Sequence, residues 1–189
     1  MELAIMNQYP LVDNPTIENK GGIFMAFENK VVDVFVEIPA GSQNKYEFDK
    51  EAGVFRLDRV LFAPMHYPTE YGYLENTLAL DGDPLDALVL TTFPTFPGCV
   101  ISTRIIGVLV MSDDKGQDEK LLGVPVDDPR WNDVKSLDDI PAHITKEISY
   151  FFERYKDLEN KETKIEGWEG AEKAAQLIEE CIQRYAETK

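Results

Sequence analysis

The sequence predicts an α+β fold, a twisted sheet or small closed β-barrel packed against C-terminal helices, and three observations predict it. Period-two alternation recurs in short runs from Val31 to about Val126, and the period becomes helical only after Pro141. A chain of 189 residues that is 43% hydrophobic also suits a single core. Short strands followed by helices is the order of an α+β domain rather than of alternating βαβ units. Residues 1–30, interrupted by Asn14-Pro15 and Gly21-Gly22, read as an N-terminal arm, and residues 31–189 as one domain.

Taken in order, Val31 to Ile38 sets Val32, Val34, Val36 and Ile38 on one face and Asp33, Phe35 and Glu37 on the other, a strand with a carboxylate near its end. From Lys45 to Asp49, Lys45 and Glu47 share a side opposite Tyr46 and Phe48. Val54 to Phe62 puts Arg59 beside Phe55, Leu57 and Leu61, with Arg56 and Asp58 opposite. A charge on an apolar face is either a snorkelling edge residue or an anion contact at the mouth of a sheet or barrel. Leu74 to Leu80 and Leu85 to Leu90 read as strands flanking an acidic turn, followed by a long strand from Val100 to Met111 and a short one from Leu121 to Val126. Ile144, Ile148, Phe151, Phe152, Tyr155 and Leu158 mark an amphipathic helix, with Tyr155 on its buried stripe and Lys156 at the stripe's edge. A last helix runs from about Ala171 to Glu187.

With 35 acidic against 19 basic residues the formal net charge is −16, which repels nucleic acid and anionic membrane surfaces, so neither is expected as a partner. An acidic surplus serves solubility in most proteins; the sharper reading is metal binding. Cys99 and Cys181 are too few for a disulfide framework or zinc knuckle and read as core thiols. Met1-Glu2 opens no basic and apolar leader, and no stretch approaches a membrane span, so the expected location is cytoplasmic.

The chemistry concentrates in Asp81-Gly82-Asp83-Pro84-Leu85-Asp86, between two apolar runs. Such residues also make ordinary exposed turns. Glycine and proline forbid a helix here, so the three carboxylates converge only where the backbone bends around a common point. A divalent metal gives them reason to converge, because close unneutralised carboxylates repel. An EF-hand needs glycine at the sixth loop position and glutamate at the twelfth, where this chain has Asp86 and Thr92. Asp113-Asp114-Lys115-Gly116-Gln117-Asp118-Glu119-Lys120 reads as a hairpin, and a hairpin at a barrel mouth can bring Asp113, Asp118 and Lys120 over a site. No glycine-rich phosphate loop is present for nucleotide binding.

The segments VEIPAG at 36–41, KYEFD at 45–49, DRVLF at 58–62, YPTEYGYL at 67–74, DGDPLDALVL at 81–90 and ERYKDLE at 153–159 together resemble the soluble, single-domain, magnesium-dependent inorganic pyrophosphatases of bacterial type. The resemblance implies an OB-like barrel, residues 31–189 as the catalytic domain, and hydrolysis of magnesium pyrophosphate to two phosphates by a metal-activated water. It implies several Mg2+ per site: one on Asp81, Asp86 and Asp118, a second touching Asp86, one brought with substrate on Asp113 and Asp118, with Glu47 near another and Glu37 supporting through waters. Lys45, Arg59, Tyr71, Lys120, Tyr155 and Lys156 match the family's phosphate contacts, and Asp83 its general base. A homohexamer is implied as well. His66 and His143 match no such role.

Overall fold

The computed structural model describes residues 31–189; the expected arm, residues 1–30, lies outside them. Nine strands and two helices follow in order: β1 (Val31–Ile38), β2 (Asn44–Asp49), β3 (Val54–Val60), β4 (Glu70–Tyr73), β5 (Asp86–Val89), β6 (Val100–Asp113), β7 (Gly116–Gln117), β8 (Lys120–Pro125), α1 (Ala142–Arg154), β9 (Lys164–Gly170) and α2 (Ala171–Ala186).

Strands pair in the order β1, β4, β5, β8, β6, and β6 pairs again with β1, so the sheet closes into a ring that answers the expected small barrel. Closure removes the open edges that a flat sheet would present. All contacts in the ring are antiparallel except β5 with β8, which run parallel with Asp86 opposite Lys120. The long β6 also carries β9 and β7 beyond the ring. At Gly72 the strands β1 and β4 come so close that a Cβ would stand 2.0 Å from the Phe35 carbonyl oxygen, so only glycine fits there.

Strands β5 and β8 and the middle of β6 are apolar on both faces because both faces are covered, whereas β1 buries one face through Val34, Val36 and Ile38. Leu88, Leu109 and Leu122 join Ile148, Phe151 and Phe152 of α1 in one cluster. Ala87, Val89, Val108 and Leu121 join Ala174, Ile178 and Cys181 of α2 in the other. Strands β2 and β3 form a separate hairpin sheet, seated through Phe48 and Phe55 on Phe35 and, through Phe35, against Tyr73.

Several expectations are corrected. Leu74–Leu80 is not a strand; β4 ends at Tyr73, and the chain turns through Asn76 at φ 60° while Thr77 Oγ1 donates to the Leu74 carbonyl. Alternation in β3 breaks because the β2 partners step from Arg59 to Leu57, leaving Asp58 as an extra residue, and Leu57 is exposed instead of facing a core. Helix α1 stops at Arg154, so Tyr155 is its C-cap and Lys156 opens the following 3-10 turn. Strand β9 went unpredicted, its charged residues giving no clear period. Cys181 is buried as expected, whereas Cys99 is only half-buried.

Candidate active site

One end of the ring opens into a cleft of about 600 Å³. Glu37 reaches it from the end of β1, Tyr71 from β4, Asp86 from the start of β5, Asp113 from the end of β6, and Lys120 from the start of β8. The turn before β5, bent at Gly82 with φ 93°, adds Asp81 and Asp83. Asp118 enters just ahead of β8, Tyr155 and Lys156 from the turn after α1, and Lys45, Glu47 and Arg59 from the β2–β3 hairpin. All of the residues singled out in the sequence therefore line the same cleft.

The centre of the ring wall is a charge cluster around one buried lysine. Lys120, 2% exposed, donates to Asp86 Oδ2 at 2.6 Å and to Asp118 Oδ1 at 2.8 Å, and the Tyr71 hydroxyl donates to the same Asp86 oxygen at 2.5 Å. Its Nζ also lies 5.5 Å from the Tyr71 ring centroid and 5.2 Å from that of Phe152. Burial opposes the charge on Lys120, but Asp86 and Asp118 more than offset it and hold its pKa up. Burial raises Asp86 above the ordinary aspartate range, with Lys120 opposing and Asp118 adding to the rise. Burial likewise pushes Tyr71 and Tyr155 upward, keeping both as phenols able to donate. Nearby, Lys156 donates to Asp113 Oδ2 at 2.8 Å.

Glu37 is a stressed carboxyl. Burial pushes it up to about 7 even though the Phe48 N–H donates to it at 2.8 Å. On the opposite wall Lys45 pairs with Glu47 and stands 3.5 Å from Asp58, whose carboxylate also accepts from Arg59 Nη1 at 2.5 Å. Arg59 Nε donates to Glu159 at 2.9 Å. Asp83 is exposed, with its N–H bound to Asp81 Oδ1 and the Lys115 ammonium 3.4 Å from its own carboxylate.

Asp58, Tyr73, Lys50, Lys115 and Lys161 line the cleft without having been singled out. The bulge hid Asp58, since strict alternation sent it to the far face. Tyr73 lies two residues beyond Tyr71 on the same strand face, a period-two signal that could have found it. Its buried hydroxyl has no hydrogen-bond partner among the described residues.

Seven basic and eight acidic side chains line this space, so the cleft is close to balanced while the chain carries −16. Among the described residues no three acids are already drawn together as a metal cage. Most of the acids are instead held on lysines or Arg59, while Glu37 and Asp81 accept from backbone N–H groups. Their chemistry nevertheless fits hard divalent cations: every donor is oxygen, and burial disfavours the charged forms of Asp86 and Glu37 unless a cation neutralises them.

Comparison with known proteins gives a consistent result. A family profile described as Inorganic pyrophosphatase matches residues 34–186. The inorganic pyrophosphatase of Geobacillus stearothermophilus is 68% identical over 165 residues, spanning 87% of this chain and 100% of the relative. That of Methanosarcina acetivorans is 54% identical over 160 residues, 85% of this chain and 95% of the relative. The crystal structure of inorganic pyrophosphatase from Thermus thermophilus superposes with a TM-score of 0.81 at 43% identity, covering 85% of this chain and 94% of that one. The Helicobacter pylori enzyme gives 0.81 at 44% identity, over 84% and 95% respectively.

Proposed function

Since the chain belongs to the inorganic pyrophosphatase family and hydrolyses pyrophosphate to phosphate, we propose that its substrate is the magnesium complex and that water attacks phosphorus directly. Water and pyrophosphate give two phosphates, with no group passing through the protein. The observation that carries this reading is the interleaving of acids and cations in one cleft: a polyanion is drawn by the cations, and the acids need divalent metal before it can enter.

Asp81, Asp86 and Asp118 would hold one Mg2+, Asp113 and Asp118 another, with Glu47 and Glu37 supporting further ions directly or through water. Bound there, magnesium supplies neutralisation of the carboxylates and a lowered pKa for water. The protein's own groups do the rest. Asp83, exposed and outside the Lys120 cluster, accepts the proton of the attacking water. Lys45, Arg59, Tyr71, Lys120, Tyr155 and Lys156 hold phosphoryl oxygens and offset charge on the departing phosphate. Tyr71 and Tyr155, kept protonated by burial, donate rather than repel. Lys120, bound to Asp86 and Asp118 in the free protein, turns to a phosphoryl oxygen once the two carboxylates are taken over by metal.

Phosphate release measured colorimetrically with pyrophosphate, tripolyphosphate and ATP, with magnesium and then with chelator, tests this. Expected is rapid release from pyrophosphate with magnesium, none with chelator, and poor support by calcium, whose larger and looser coordination disturbs the spacing. Full turnover in metal-free buffer overturns the metal assignment. We also propose a cytoplasmic homohexamer. Among the described residues no helix is long and apolar enough to cross a membrane, and light scattering showing only a 21.5 kDa monomer would contradict the assembly.

A further inference from the structure

Glu159 does not line the cleft, yet it binds a residue that does. Arg59 Nε donates to Glu159 Oε1 at 2.9 Å across 100 positions of sequence, with the two side chains 21% and 7% exposed. The pair joins two segments that share no strand pairing. One is the β2–β3 hairpin, a two-stranded sheet of its own. The other is the 3-10 turn Asp157–Glu159, which follows directly on Tyr155 and Lys156.

A guanidinium is a rigid planar fork, so fixing two of its nitrogens fixes its plane. Glu159 takes Nε and Asp58 takes Nη1, which leaves Nη2 for a ligand in the cleft. The far end of the bond is equally anchored. The Glu159 N–H donates to the Lys156 carbonyl at 2.9 Å, and the Lys156 ammonium reaches Asp113 on β6. Arg59 and Lys156 are thereby linked through Glu159, although one rides on the hairpin and the other on the turn after α1.

We infer that Glu159 is a positioning residue for pyrophosphate hydrolysis: its carboxylate locks the Arg59 guanidinium to the Tyr155–Lys156 turn, so that cations from two separately folded segments meet one phosphoryl group. This rests on the reading of Arg59 as a phosphate contact. A carboxylate that merely clamped the hairpin would affect stability and leave the contribution of Arg59 to turnover intact.

The test uses the full chain with Glu159→Gln, Arg59→Ala and the double variant. It measures kcat and KM for magnesium pyrophosphate, denaturation midpoints, and the Arg59 Nε–H signal in proton–nitrogen spectra. Displacing a positioned group by about an ångström costs up to ~10²-fold, so Glu159→Gln is expected to lower kcat/KM by roughly 10- to 100-fold. On the Arg59→Ala background it should add less than about twofold, because residues acting as a unit are not additive. The Nε–H signal should shift as its charged acceptor becomes neutral. Wild-type kcat/KM in Glu159→Gln, an effect undiminished on the Arg59→Ala background, or a Glu159→Gln protein that does not fold each overturns the inference. Wild-type kinetics in Arg59→Ala, with the Nε–H signal shifted in Glu159→Gln, would locate the failure in the phosphate-contact reading of Arg59, and the positioning role would fall with it.

Discussion

The two walls of the cleft carry similar charges on opposite foundations. On the ring wall Asp86 and Lys120 are register partners on adjacent strands, and Asp118, Tyr71 and Phe152 close around them. On the hairpin wall Lys45, Glu47, Asp58 and Arg59 stand on two strands that pair with each other and rest on a patch of aromatic rings. On the ring wall the charges are part of what folds. On the hairpin wall Lys45, Glu47 and Asp58 pair near solvent, and Arg59 alone among the four binds a buried partner, Glu159. Substitutions on the first should therefore cost structure and activity together, and on the second, Arg59 apart, activity alone.

The largest effect is expected from Lys120→Met. It leaves the half-buried Asp86 and Asp118 without the buried ammonium they share, and removing one partner of a fully buried ion pair typically costs ~3–5 kcal/mol, which sets the ceiling for this pair. The metal-free variant should lose much of its resistance to urea and show no turnover. Added magnesium should restore part of the stability by neutralising the two carboxylates, and none of the activity. A metal-free Lys120→Met protein as stable as the parent would break the comparison.

Asp83 and Asp86 sharpen it within a few residues. Asp83 is 63% exposed and paired only loosely with Lys115, so Asp83→Asn should leave stability unchanged while turnover falls ~10²- to 10⁴-fold, as for loss of a general base. Asp86→Asn should instead weaken magnesium binding, since an anionic ligand becomes neutral. Calorimetric magnesium titration beside steady-state rates separates them. Equal loss of metal affinity in both would make Asp83 another ligand.

How much of this was legible follows the same division. On the ring, β5, β6 and β8 announce themselves because two buried faces demand apolar residues, β1 because one buried face demands strict alternation, and the acids that interrupt such runs stand out. On the hairpin, the single extra residue Asp58 shifts the phase of β3, so alternation assigned it to the wrong side. Glu159 closes the segment ERYKDLE, and its role is invisible there because its partner lies 100 positions away and no local period reports such a contact. Tyr155 and Lys156 were found, though as helix residues, since the apolar period runs one turn past the last helical hydrogen bonds.

Lys45→Ala tests the hairpin wall at intermediate scale. Its ammonium touches Glu47 and Asp58, both partly open to solvent, and exposed pairs contribute at most about 1 kcal/mol. Turnover should nevertheless fall by ~10²-fold, the usual cost of removing one donor to developing charge. A stability loss as large as that of Lys120→Met would mean that the hairpin charges hold the fold after all.

The smallest effect belongs to the hairpin's solvent-facing pair, Arg56 with Asp49. Arg56 Nε donates to Asp49 Oδ2 at 2.8 Å, but Arg56 is 63% exposed and does not line the cleft. The Asp49 carboxyl is held below its ordinary value of 3.8 first by the Ala52 N–H and only then by Arg56. A carboxyl whose folded pKa is depressed contributes above its ordinary value and loses that contribution as pH falls through the folded one. Arg56→Ala removes the lesser cause and keeps the turn's own bond from Ala52, so at pH 7 neither the denaturation midpoint nor kcat/KM should move measurably. In acid the Ala52 and Gly53 amide signals should loosen at slightly higher pH in the variant than in the parent, because its Asp49 protonates sooner. If Arg56→Ala instead reduced turnover as Lys45→Ala does, Arg56, the register partner of Glu47, would be holding the hairpin's cleft charges in place, and the two walls would differ less than their burial implies.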